Sequence, residues 1–188
     1  MKSGVRLAAF ASGPIGADKH AASGRTIIIA VVSKKSEIEG VLSSSIGVNG
    51  TDSTRKILGM IETSRFASQI RLVALNGIAL AGLNVVDIDA LTKRGLNAMV
   101  VTRHKPRPSK LIYALRVFSR RNNISIASRE QIVKAFAAHK PELVNGMYVQ
   151  STLAKEGLVG LASYAADALR LAHLIASGVS RGESKGRI

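Results

Sequence analysis

The chain alternates between short runs of consecutive apolar residues and longer stretches with helical spacing. The runs at 26–32 (TIIIAVV), 70–75 (IRLVAL) and 98–102 (AMVVT) are rich in β-branched residues and short, so they predict buried strands. Residues 5–12 (VRLAAFAS) predict a fourth strand, and 37–48 (EIEGVLSSSIGV) alternates as an exposed sheet strand does. From Asp52, the segment DSTRKILGMIETSRFASQ has an Asx or Ser/Thr start and sets Ile57, Leu58, Ile61 and Phe66 at helical spacing. A further helix is predicted in RPSKLIYALRVFSRR, where Leu111, Ile112, Leu115 and Phe118 share one face. At about 100° per residue, Lys110, Arg116, Arg120 and Arg121 fall on the opposite arc. The C-terminal third reads as largely helical, with MYVQST as an extra strand. Strands come first and helices follow, which predicts one α/β domain over 1–188, a mixed sheet covered by helices. Only a Gly/Ser-rich loop near 13–24 and a basic tail, SRGESKGRI, interrupt the pattern; no internal repeat or linker is visible.

A chain of 188 residues is long enough to bury roughly two-thirds of its unfolded surface without a covalent staple. It has no cysteine, which excludes disulfides, thiolate zinc sites and cysteine nucleophiles. The histidines, His20, His104, His139 and His173, lack the H-x-x-x-H spacing of a zinc helix. His173, inside an apolar helical run beside Arg170, reads as partly buried and bonded to a neighbour. GESKG at 182–186 matches the nucleophile elbow of hydrolases, but that elbow needs a preceding strand and later Asp and His partners. No Walker A or G-x-G-x-x-G sequence follows a strand. Arg6 interrupts the N-terminal apolar run, and Asp167, Arg170 and His173 interrupt GLVGLASYAADALRLAHLIASG, against the roughly 20 apolar residues of a spanning helix. The expectation is a cytoplasmic protein with no membrane partner.

Charge changes the picture most. There are 27 Lys and Arg against 12 Asp and Glu, a formal net charge of +15. Heat adaptation enriches Lys and Glu together, and this chain is short of acids. The excess points to a polyanionic partner, nucleic acid above all. RHKPRPSK at 103–110 contains no acid and reads as a phosphate-contacting edge. Aromatic residues make up 4% of the chain and are not clustered, so contacts are expected mainly to the backbone. RNA and DNA are equally compatible with this reading.

Four segments, EGVLSSSIGVNGTDSTRKI, LNGIALAGLNVVDI, VVTRHKPRPSKLIYAL and LRLAHLIASGVSRGESKGR, resemble an archaeal family related to endonuclease V and described as endonuclease dU-like. The resemblance runs from about residue 5 to the C-terminus and implies a ribonuclease H-like fold. It also implies acidic positions that this chain lacks. Where the family's first strand ends in Asp-Asp-Gly, this sequence has Ala11 and Ser12; where the family has Val-Asp-Gly, it has Asn49; at a strand end that is an acidic metal ligand in endonuclease V, it has Asn76. Glu39, Asp52, Asp87, Arg170, His173 and Glu183 keep the family pattern.

Cleavage on this scaffold uses carboxylates to hold one or two divalent cations that activate water and neutralise the phosphate. With three of those positions neutral, no catalytic residue, metal or cofactor is expected, and the acids no longer repel a polyanion. The leading expectation is a pseudoenzyme that binds nucleic acid, lodged in an RNA–protein assembly such as the ribosome. The residues expected to bind are Arg103, Lys105, Arg107, Lys110, Arg116, Arg120, Arg121, Arg170, His173, Lys185 and Arg187, with Arg55, Lys56 and the C-terminal Arg181, Lys185 and Arg187 as the alternative patch should the basic helix face be only a solvated surface. Two alternatives stand beside it. One is an endonuclease acting on deaminated or structured nucleic acid, with Mg2+ or Mn2+ held by Glu39, Asp52 and Asp87; the other is a subunit that binds an acidic protein.

Overall fold

The computed structural model describes residues 6–16, 24–154 and 158–184. Strands β1 (Arg6–Ser12), β2 (Arg25–Lys34) and β3 (Glu37–Gly47) form an antiparallel meander. After helix α1 (Ser53–Glu62), β4 (Ile70–Leu75) pairs in parallel with β1. A small ribbon, β5 (Ala79–Leu80) with β6 (Asn84–Val85), and helix α2 (Ile88–Lys93) lead to β7 (Asn97–Thr102), parallel to β4. Helices α3 (Pro108–Asn122) and α4 (Ala127–Phe136) follow, then the hairpin of β8 (Glu142–Val144) and β9 (Met147–Ser151), and finally α5 (Leu158–Arg181). The sheet order is β3-β2-β1-β4-β7-β9-β8. The fold is a mixed sheet with helices on both faces, the α/β class that the sequence predicts.

The sequence dictates the layers through its period of two. On one face Ala8, Phe10, Ile28, Val73, Leu75 and Val100 pack with residues from α1 to α4, among them Ile57, Leu91, Leu115, Phe118 and Val133. On the other, Leu7, Ala9, Ile29, Leu72, Ala74, Met99 and Val101 meet α5 alone among the helices. α5 presents Ala162, Ala165, Ala168, Ala172 and Ala176, a stripe of small side chains that lets the helix lie close on the strands. By length and hydropathy α5 is a candidate membrane span, yet this stripe is committed to the sheet. Because β1, β2, β4 and β7 are covered on both faces, their central segments are continuous apolar runs, and only the edge strand β3 alternates.

The helix expected from Asp52 is shorter than its apolar pattern. Thr63 Oγ1 donates to the Gly59 carbonyl at 2.8 Å and Ser64 Oγ to that of Ile61 at 2.8 Å, so side chains take up the last-turn acceptors and the chain turns after Glu62. Phe66 then enters the core from a turn. It lies against Gly40, where an added Cβ would come within 2.8 Å of the ring. α4 falls in the C-terminal third that reads as largely helical, whereas α2, β5, β6 and β8 are too short and carry too few apolar positions to have been predicted.

Candidate nucleic-acid interface

The alternation that builds the α5 face runs to the end of β1 and continues just past the ends of β4 and β7. Leu7 and Ala9 are followed on that face by Ala11, Leu72 and Ala74 by Asn76, and Met99 and Val101 by Arg103. Opposite them, Asp167, Arg170 and His173 recur every three residues on the exposed side of α5. Between sheet and helix lies a cleft of about 870 Å³ whose polar lining is Asn76, Arg103, His104, Asp167, Arg170 and His173, over apolar residues such as Val101 and Leu169. Two arginines and two histidines thus face one carboxylate. Low-dielectric walls lined mostly by one sign of charge focus a field that attracts anions.

The donors here do not fit a catalytic divalent cation. Ala11 supplies no ligand, Asn76 supplies an uncharged amide, and Asp167 is the single carboxylate lining the cleft. Ser12 faces the other way and its Oγ accepts from Ala81 N at 2.9 Å. Among the described residues no three His, Asp or Glu side chains come together as a metal site. The acids considered as substitute ligands are separately engaged: Glu39 pairs with Arg6 near the start of β1, and Asp87 caps α2 by accepting from Ala90 N at 2.9 Å. Asp52 does not cap α1 with its side chain. Its carboxylate accepts from Asn84 Nδ2 at 2.7 Å and Gly47 N at 3.2 Å. Burial opposes ionisation there, but these hydrogen bonds and Arg25 outweigh it and hold the carboxyl below its ordinary value.

Asn49 corrects another expectation. It does not reach the cleft; it is buried in the turn after β3, in a left-handed conformation (φ 52°) that asparagine tolerates. Its Oδ1 accepts from Leu83 N at 2.9 Å, and its backbone N donates to Ala81 O at 2.9 Å. From α4, Arg129 Nη1 donates to the carbonyls of Asn49 (2.9 Å) and Leu83 (3.3 Å), while its guanidinium stacks 5.2 Å from the Phe118 ring centre. Arg129 is 2% exposed, and desolvation pushes its pKa below the ordinary arginine value. Asn84 completes this buried network, donating to Gly47 O at 2.9 Å and accepting from Ser53 N at 3.0 Å. Neither Arg129 nor Asn84 was singled out from the sequence. The signal was there for Arg129, which stands four and seven residues before the buried Val133 and Phe136.

The basic residues expected to act together fall into two groups. Arg103, Arg170 and His173 meet in the cleft with His104; His173 is exposed there rather than partly buried. Lys105 and Arg107 are exposed in the loop that leads to α3, and Lys110, Arg120 and Arg121 are exposed on the helix. Lys110 and Arg120 stand about 15 Å apart along the axis. Arg116 is not a free cation: its Nε donates to Glu130 at 2.7 Å, which raises the arginine pKa and lowers that of the carboxyl. Lys185 and Arg187 lie outside the described residues.

The family model for endonuclease dU matches residues 3–180. A UPF0215 protein of Thermococcus gammatolerans is 34% identical over 200 residues, covering 98% of this chain and 96% of its own. A UPF0215 protein of Methanosarcina acetivorans is 39% identical over 163 residues, covering 80% of each. The crystal structure of a protein from Archaeoglobus fulgidus overlays with a TM-score of 0.77 at 24% identity, over 93% of this chain and 98% of that one, a likeness of fold.

Proposed function

Since the chain belongs to the endonuclease dU family, an archaeal, endonuclease V-like family, we propose that it uses that scaffold to bind the nucleic-acid backbone without cutting it. The observation that carries this reading is the cleft at the ends of β4 and β7, lined by Arg103, His104, Arg170 and His173 with a single acid, Asp167. Phosphate contacts need cations and hydrogen-bond donors, which the cleft has. Two-metal hydrolysis relies on clustered carboxylates, which the cleft lacks. Backbone contacts set position and not sequence, so this is a protein for shape or for an assembled RNA–protein particle in the cytoplasm, the ribosome included.

Purification from native lysate at low salt, with sequencing of whatever nucleic acid co-migrates, tests the proposal. Nuclease-sensitive co-migrating RNA or DNA supports it, and a stoichiometric acidic protein in its place supports an interaction subunit. The family's description favours a second reading, an endonuclease for deaminated or structured nucleic acid. Its test is cleavage of inosine- and uracil-containing strands with Mg2+ or Mn2+. The informative variant is Asp167→Ala, because Asp167 lines the cleft and Asp87→Ala would also uncap α2.

A further inference from the structure

All four phenylalanines are buried, as composition alone would lead one to expect of scarce aromatics in a core. Tyr113 is the opposite case, 71% exposed in the middle of α3. No hydrogen bond to another described residue holds it. The helix does not need it for the core either, since Leu115 and Phe118 are the side chains α3 buries. At about 100° per residue the ring falls near the middle of the exposed arc that Arg116 and Arg121 bound, with Lys110 and Arg120 beside it. Glu130 neutralises Arg116, so the free cations nearest the ring along the helix are Lys110, one turn before it, and Arg120, two turns after it.

The surrounding chain sharpens the picture. Residues 90–129 contain ten Lys and Arg and no Asp or Glu. The loop from Arg103 to Arg107 starts in the cleft and ends at Pro108, the first residue of α3. Tyr113 lies about 8 Å beyond Pro108 along the axis, and because α3 and α5 cover opposite faces of the sheet, a strand leaving the cleft reaches the ring by following this basic loop. An apolar protein surface covering the ring would have to desolvate the flanking cations. A phosphate chain would neutralise them instead, and would bring bases to the ring.

Building on the backbone-binding reading above, we propose that Tyr113 is a stacking platform for an unpaired base of a single strand whose phosphates run from the cleft onto the exposed arc of α3. Every base has a π face, so such a platform tolerates any sequence. It does select against duplex, where both faces of each base are already stacked. The composition hid this site because one aromatic, not a cluster, forms it.

The experiment is fluorescence anisotropy with a 12-nucleotide single strand and its matched duplex, on wild type, Tyr113→Ala, Tyr113→Phe and Arg170→Ala, alongside a strand carrying 2-aminopurine. Tyr113→Ala is expected to weaken single-strand binding roughly five- to hundredfold while leaving the duplex unchanged, and Tyr113→Phe to restore it. Wild type and the Phe variant should quench 2-aminopurine, and the Ala variant should not. If Tyr113→Ala leaves the single strand unaffected, or weakens both ligands equally, while Arg170→Ala still weakens binding, the platform is refuted and the backbone reading survives. If wild type binds neither ligand, or Arg170→Ala and Tyr113→Ala both bind as wild type does, both readings fall.

Discussion

Arg129 Nη1 donates to the carbonyl of Asn49 at 2.9 Å, tying α4 to the turn after β3 across 80 positions of sequence. The guanidinium is buried without a carboxylate, and its stabilising role is to satisfy two backbone carbonyls that the surrounding apolar side chains cannot. Arg129→Ala should therefore lower the free energy of unfolding by about 2–4 kcal/mol. Arg129→Met should cost less, because its stem refills the space. Gly82→Ala attacks the same joint: φ is +88° and a Cβ would lie 2.2 Å from Asn49 Oδ1. A loss of about 1–3 kcal/mol is expected. Urea unfolding reads all three variants.

Restoring acids should discriminate between two faces of the molecule. The parallel register sets Phe10 opposite Leu75, so Ala11 stands beside Asn76 on a neighbouring strand, about 4.8 Å away. The double variant Ala11→Asp, Asn76→Asp, with Asp167 across the cleft, should gain Mn2+ binding in a calorimetric titration. Adding Asn49→Asp should gain nothing, because that side chain is bonded to Leu83 N in the buried turn. A metal site that forms only in the triple variant would contradict this placement.

Acid should weaken the fold through Asp52 and Glu130, both held below their ordinary pKa in the native state. The unfolded chain then binds their protons first as pH falls below about 4.3. Their contribution is complete above that range and is lost as pH drops through the ordinary carboxylate values toward the folded ones. Urea midpoints should be level from pH 7 to 5 and decline toward pH 3, and Asp52→Asn should flatten part of that decline.

Much of the fold was legible in the sequence because its central strands are apolar on both faces and short. IRLVAL coincides with β4, and TIIIAVV and VRLAAFAS lie within a residue or two of β2 and β1. The site was legible only in part. Arg103 and Arg170 were named from charge, but their meeting depends on α5 lying across β4 and β7, which no local pattern encodes. Asn49 was grouped with Asn76 by analogy of position. Nothing in VNG reveals that its amide is spent on Leu83 N, nor that a buried arginine 80 residues away needs its carbonyl.

On α3 the ion pair separates two arginines that sequence treats alike. Arg116 is engaged by Glu130, whereas Arg120 is exposed with no acid paired to it among the described ion pairs. Arg120→Ala should flatten the dependence of binding on salt by up to about one unit of log–log slope, and Arg116→Ala by distinctly less. Equal effects in a salt titration would mean that nucleic acid displaces Glu130.

The most direct measurement is the affinity for a labelled single strand as a function of salt, taken with EDTA and again with Mg2+, with the strand recovered and sized after each titration. If about five phosphates are neutralised, log K should fall with log salt at a slope of roughly −3.5 in EDTA. Arg103→Ala and Arg170→Ala should each flatten it by up to about one unit, and the strand should come back whole under both conditions. Salt-independent binding, or binding that requires Mg2+ and returns a cut strand, would contradict a backbone-binding cleft that works without a metal.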